Sequence, residues 1–131
     1  GTVLGDPIEL GALQTVLPRR SPGAPPLVIA SGKTNINHLE GSAGIAGLIK
    51  LVLVLQNQIA PANIHLKALN PLIGVEEWDV VFPTECMRLT PTRHDDNGAA
   101  TLVGGVSSFG FGGTNSHAVV ECGKANTALP F

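Results

Sequence analysis

Lys33 and His38 stand five positions apart in ASGKTNINHLEG, residues 30–41, a stretch that closes one apolar run and opens another. An ammonium and an imidazole so spaced suit two chemistries. Gly32-Lys33-Thr34 copies the tail of a nucleotide-binding loop, while a lysine beside a histidine can also serve an oxygen that gains negative charge. The phosphate reading fails on spacing. Such a loop needs a glycine five positions before its Gly-Lys pair, and Leu27 stands there. Residues 27–31 also read as strand, which leaves no flexible cradle of N–H groups.

His38 falls just before the N-terminus of an apolar helix, with Lys33 upstream. The positive end of the helix and a nearby ammonium both disfavour a second positive charge, so the ring is expected to stay neutral and to donate an N–H. A neutral imidazole so placed can stabilise a carbonyl oxygen as it becomes an oxyanion. A histidine packed in the core is the competing reading. The other histidines, at 65, 94 and 117, form no HxxxH or HExxH pattern, and His65 and His94 read as structural. Phe109-Gly110-Phe111-Gly112-Gly113 is the second candidate. It is either a tight hairpin whose aromatics fill a core, or a loop whose bare backbone lets N–H groups reach a reacting oxygen. It lacks G-x-G-x-x-G and a strand follows it, so it is no dinucleotide fingerprint.

The elements that must position these residues follow from pattern. LGDPIELGALQTVL (4–17) reads as a helix with Asp6 at the N-cap, Pro7 at the first position and Glu9 in the first turn. Residues 18–26 hold four prolines and form a loop, and 27–32 read as a strand buried on both faces. From Gly41, GSAGIAGLIKLVLVLQN is helical and apolar almost all round, which predicts a helix inside a domain. Gly41, Gly44 and Gly47 give it a flat stripe for a closely packed neighbour. Residues 58–100 are irregular, with short strands expected near Ile64 and over 80–82 and a turn over 95–100. Strands are expected over 101–109 and 116–122, joined by the glycine-rich loop. The order argues for α/β layers.

The 131 residues suit one domain. Net charge is −2, which gives no nucleic-acid footprint and no polybasic membrane patch. Charged residues make up 14%, against roughly 25% in typical domains, and this predicts that more protein covers part of the surface. Cys86 and Cys122 have no CxxC spacing, so neither zinc nor a disulfide framework is expected, and two reduced thiols suit a cytoplasmic protein. No signal peptide is visible at the start. The longest apolar stretch, 45–55, is too short to span a bilayer and contains Lys50.

Three segments together, GTVLGDPIE, GKTNINHLEGSAGIAGLIK and SSFGFGGTNSHAVVE, resemble in order and spacing the C-terminal half of β-ketoacyl synthases, most closely ketosynthase domains of polyketide synthases and animal-type fatty acid synthases. The resemblance covers residues 1–122 as one truncated domain, with 123–131 as a tail or the start of a linker. It implies an α/β, thiolase-like fold, layered α-β-α with a mixed sheet and a buried helix, whose two halves pair in a homodimer. It implies decarboxylative Claisen condensation of an acyl thioester with a malonyl-type thioester, in which a cysteine holds the growing chain and two histidines help form the carbanion. His38 matches the second histidine of the K-x-N-x-x-H pattern, Lys33 its lysine and Asn35 its asparagine. Asp6 and Glu9 match the acidic pair of G-D-P-x-E. Phe111 matches the gating aromatic whose N–H joins an oxyanion hole, flanked by Gly110, Gly112 and Gly113. Phe109, Thr114 and Asn115 support that loop.

The family's first histidine would fall just before Gly1, and its cysteine belongs to the N-terminal half. Neither Cys86 nor Cys122 matches it, so the chain alone is expected to be inactive. Two positions depart from the family pattern: Gly47, where fatty-acid-type members often carry glutamate, and Asn37, where glycine is usual. The resemblance implies no metal and no directly bound cofactor, with substrates carried on the phosphopantetheine of an acyl carrier protein. Expected partners are the N-terminal half and that carrier protein, with no nucleic acid and no membrane. The alternative is a non-catalytic, ketosynthase-derived dimerisation or docking module, with Arg19 and Arg20 facing an acidic carrier protein.

Overall fold

The structure, a computed structural model, describes residues 2–17, 20–76, 78–91, 93–94 (backbone only), 98 and 100–122. Helix α1 runs Gly5–Val16, strand β1 Leu27–Val28 and the one-turn helix α2 Lys33–Ile36. A 3-10 turn over Glu40–Ser42 leads into α3, Ala43–Asn57. Short strands follow: β2 Ile59–Ala60, β3 Val80–Val81, β4 Met87–Arg88, β5 Arg93–His94 and β6 Ala100–Thr101. The chain then forms a long hairpin from β7, Val103–Phe109, and β8, Asn115–Glu121.

Both kinds of strand pairing occur. β1 pairs parallel with β3, whereas β2–β4, β5–β6 and β7–β8 are antiparallel. The expected strand over 27–32 is regular only for Leu27–Val28, although the Ile29 N–H still reaches the Val81 carbonyl at 2.9 Å. No strand forms at Ile64, because His65 takes a left-handed φ of 70° and turns the chain. Of the expected turn over 95–100, residues 95–97 and 99 lie outside the described residues, and Gly98 has φ 77°.

Asp6 is not the cap of α1. The N-cap is Leu4, and Thr2 supplies the capping oxygen, accepting the Gly5 N–H at Oγ1 (2.8 Å) while the Thr2 N–H reaches Asp6 Oδ1 (3.4 Å). The acidic side chain therefore sits inside the first turn, where the helix dipole favours it.

The centre of the fold is α3 laid across β7. Gly44, Gly47, Leu51 and Leu55 recur at helical spacing and face that strand. A Cβ on Gly44 would come within 2.8 Å of Ser108 Oγ, one on Gly47 within 3.1 Å of Val106 Cγ2, and one on Gly104 of β7 would collide with Leu51. Two glycines of the expected stripe thus let the backbones approach. Gly41 meets nothing within 4 Å. The opposite face of α3 is open: Ile45, Ile49 and Leu53 are 55%, 55% and 52% exposed. The sequence predicts a helix enclosed all round, and this chain encloses one face of it. Among the described residues the buried apolar side chains are Leu10, Leu55, Ala60, Trp78, Pro83 and Leu102, a thin core for a chain with so many large exposed hydrophobics.

Gly44→Val forces α3 away from Ser108 and should lower stability by about 1–3 kcal/mol. Gly41→Ala should be neutral or gain up to about 1 kcal/mol. Urea unfolding checks the pair, and equal losses at both positions would contradict the packing described.

Candidate active site

The segment from Ser31 to Ser42 is held from outside itself. Asn63, buried, accepts the Ser31 N–H at Oδ1 (2.9 Å) and donates Nδ2 to the Ile29 carbonyl (3.2 Å), which anchors the end of β1. Ser31 Oγ accepts the Lys33 N–H (3.2 Å), and Thr34 Oγ1 donates to the Ser31 carbonyl (3.0 Å), which ties the first turn of α2 to the residue before its Gly32 N-cap. Asn35 Nδ2 donates to the Ala62 carbonyl (3.2 Å). Lys50, half-buried on α3, donates Nζ to the Ser31 carbonyl (2.9 Å) and to Asn35 Oδ1 (3.1 Å). Burial lowers the Lys50 ammonium from its ordinary range.

Beyond α2 the backbone turns twice into the left-handed region. Asn37 has φ 67° and ψ −179°, a region that is essentially glycine's own. The glycine that the resemblance leads one to expect at this position would adopt it without strain. Asn37 compensates with its side chain, whose Oδ1 accepts the His38 N–H at 2.8 Å. Glu40 has φ 46°, and its N–H donates to His38 Nδ1 at 2.9 Å. A backbone N–H can only donate, so Nδ1 must be the unprotonated nitrogen and the ring proton sits on Nε2. His38 is exposed in this chain.

Glu9 of α1 is half-buried near this segment. Burial raises its carboxyl above the ordinary value, the attraction of the Lys33 ammonium pulls it partly back, and Asp6 pushes it up again. Asp6, Glu9, Lys33, His38 and Phe109 all line one open trough of about 1770 Å³. That exceeds the roughly 300–1,000 Å³ of a small-molecule pocket, and it is a surface of the fold more than a closed site.

The glycine-rich loop is the tip of the β7–β8 hairpin. Phe109 pairs with Asn115, the Gly110 N–H reaches the Thr114 carbonyl (2.7 Å), and the Gly113 N–H reaches Gly110 (2.9 Å) with Gly113 at φ 91°. Phe111 is fully exposed at this tip and fills no core. Gly110, Phe111, Gly112, Gly113, Thr114 and Asn115 lie outside the trough lining, so the structure does not bring Phe111 to His38. Of the two arginines in the proline-rich loop, Arg19 lies outside the described residues and Arg20 is half-buried along the trough. Cys86 is exposed and Cys122 half-buried. Sequence reasoning missed Lys50 and Asn63. A charged residue in the middle of an apolar helix was the one available signal for Lys50.

Gly47 carries its own test of fit. A Cβ there would stand 3.1 Å from Val106 Cγ2 on β7, so a glutamate would need that neighbour to give. Among the described residues no helix is long and apolar enough to cross a membrane.

The proximity of Glu9 to Lys33 is open to titration. The folded chain favours protonated Glu9, so its contribution to stability is full below the ordinary value of 4.5 and is lost as pH rises through the elevated folded value. A carboxyl NMR titration should place Glu9 above 4.5, and Lys33→Met should move it higher still. A shift in the other direction would contradict the arrangement.

The family described as "Beta-ketoacyl synthase, C-terminal domain" matches residues 1–67. A phenolphthiocerol/phthiocerol polyketide synthase of Mycobacterium tuberculosis (strain ATCC 25618 / H37Rv) is 46% identical over 130 residues, 99% of this chain and 7% of that protein. Highly reducing polyketide synthase easB of Emericella nidulans is 42% identical over 121 residues, 92% of this chain and 4% of that protein. Among solved structures, the oxazolomycin ketosynthase domain of Streptomyces albus JA3453 superposes with a TM-score of 0.82 at 31% identity, over 99% of this chain and 23% of that one. A ketosynthase from module 1 of the bacillaene synthase of Bacillus amyloliquefaciens FZB42 gives 0.74 at 39% identity, over 90% and 21%. The chain thus spans a small fraction of the relatives it matches. Its α/β elements are those of the thiolase-like ketosynthase fold. It belongs to the β-ketoacyl synthase family, in the C-terminal domain of a polyketide-type ketosynthase.

Proposed function

We propose that this chain supplies part of the active site of a ketosynthase that performs decarboxylative Claisen condensation in polyketide synthesis. The observation that carries the reading is the bond from the Glu40 N–H to His38 Nδ1, which leaves Nε2–H as the ring's free donor. A malonyl-type unit, carried as a thioester on the phosphopantetheine of an acyl carrier protein, loses CO2. The electron pair of the breaking C–C bond moves into an enolate, and charge gathers on the thioester oxygen. His38 Nε2–H donates to that oxygen, and because the donor is already oriented the site reorganises little as charge develops. The α-carbon then attacks the acyl group held on the cysteine of the N-terminal half. The new C–C bond forms, the C–S bond breaks, and the thiolate leaves.

Lys33, beside the half-buried Glu9 and with Asp6 near by, maintains a fixed charge pattern under the histidine. The Phe111 N–H serves the acyl oxygen once the hairpin tip meets the remaining half of the enzyme. Neither Cys86 nor Cys122 matches the family's nucleophile motif, so we assign the cysteine to that half. The open trough and the bare face of α3 support such a partner, since both leave apolar surface that a complete domain would cover.

In the complete ketosynthase, His38→Ala should lower condensation by about 10²–10³ while acyl loading on the cysteine continues. The isolated 131-residue chain should show no turnover with acyl- and malonyl-carrier thioesters. Turnover by the isolated chain would overturn the reading, and wild-type activity of His38→Ala would refute the role given to His38.

A further inference from the structure

One half-buried cation near this site takes no part in the steps above. Lys50 lies in the middle of α3, on a face between the stripe that packs on β7 and the open stripe of Ile45, Ile49 and Leu53. Its stem passes Gly32, where a Cβ would stand 3.5 Å from Lys50 Cδ. Its ammonium reaches two separate points of the neighbouring segment, the Ser31 carbonyl at 2.9 Å and Asn35 Oδ1 at 3.1 Å. Half-burial disfavours its charged form, and those two acceptors offset part of the lost hydration.

The two contacts bracket α2. Ser31 precedes the helix and Asn35 sits inside it, while Lys33 opens it and His38 follows it by two residues. A helix of four residues has too few internal bonds to hold itself together, so its geometry must come from outside. Lys50 and the Ala62 carbonyl together fix which way the Asn35 amide faces, with Thr34 Oγ1 also donating to Oδ1 (3.3 Å). Oδ1 must meet the ammonium, and Nδ2 is then free to donate to the Ala62 carbonyl. One side chain from the rigid helix therefore ties α3, α2 and the chain after β2 into a single frame.

We propose that Lys50 is a positioning residue of the ketosynthase reaction: by clamping Ser31 and Asn35 it fixes the placement of Lys33 and His38 relative to α3. The proposal rests on the role given to His38 above, and its test separates the two. In the complete ketosynthase, Lys50→Met keeps the stem and removes the donors, while Lys50→Arg returns a cation with several N–H groups. Hydrogen exchange read by mass spectrometry should quicken by about tenfold over residues 31–42 in the Met variant and stay unchanged over 103–121. The kcat for malonyl decarboxylation should fall by about tenfold with KM within about twofold, and the Arg variant should recover most of both effects.

Unchanged exchange over 31–42 would overturn the proposal. Acceleration that spreads equally to 103–121, with no recovery in the Arg variant, would overturn it too by making Lys50 a general stabilising residue. Local acceleration with kcat unchanged would sever the clamp from the reaction. A fully active His38→Ala variant would instead refute the functional reading while leaving the exchange pattern intact.

Discussion

A single hydrogen bond, from the Glu40 amide to His38 Nδ1, decides what the imidazole can do. It removes one ring nitrogen from chemistry and obliges the other to carry the proton. The same ring with its tautomer reversed would present a lone pair to the trough and act as an acceptor or base. Everything proposed for His38 follows from a backbone amide that has no alternative but to donate. The left-handed backbone at Glu40 and at Asn37 is the local cost of aiming that amide. Strain of this kind persists only where the surroundings hold it.

Those surroundings are assembled from distant parts of the chain. Asn63 grips Ser31 across 32 residues, Lys50 grips Ser31 and Asn35 from the helix, and Ala62 receives the Asn35 amide. α3 in turn is placed by its glycine contacts with β7. The site is thus a short strained segment pinned to a helix and to the chain just after it, a precise arrangement built on a loop. The open side of α3 and the exposed hairpin tip have no such support among the described residues, which fits the chain's belonging to a larger ketosynthase.

Local patterns in the sequence foretold the elements that local physics controls. α1, α3 and the β7–β8 hairpin carry long periodic runs or a glycine-rich turn, and each formed close to its expected bounds. The misreadings have non-local causes. Asp6 looks like a cap, but Thr2 offers the capping oxygen four residues earlier. Residues 33–36 are too few to show a period, and their stabilising contacts come from 50 and 62. Ile64 sits in an apolar context, yet the left-handed turn at His65 forbids a strand. The apolar back of α3 announced a helix enclosed all round, and among the described residues nothing covers that face. The K-x-N-x-x-H motif singled out His38, whose ring is exposed in this chain and accepts the Glu40 N–H at Nδ1. Its orienting partner, a main-chain amide, leaves no mark in a sequence.

The most direct measurement is the pair of ring 15N chemical shifts of His38 in the selectively labelled complete ketosynthase. The account predicts an unprotonated Nδ1 and a protonated Nε2, with the Glu40 amide proton shifted by its bond to the ring. A proton found on Nδ1 would contradict it, because the Glu40 amide would then have nothing to meet and Nε2 would have nothing to give.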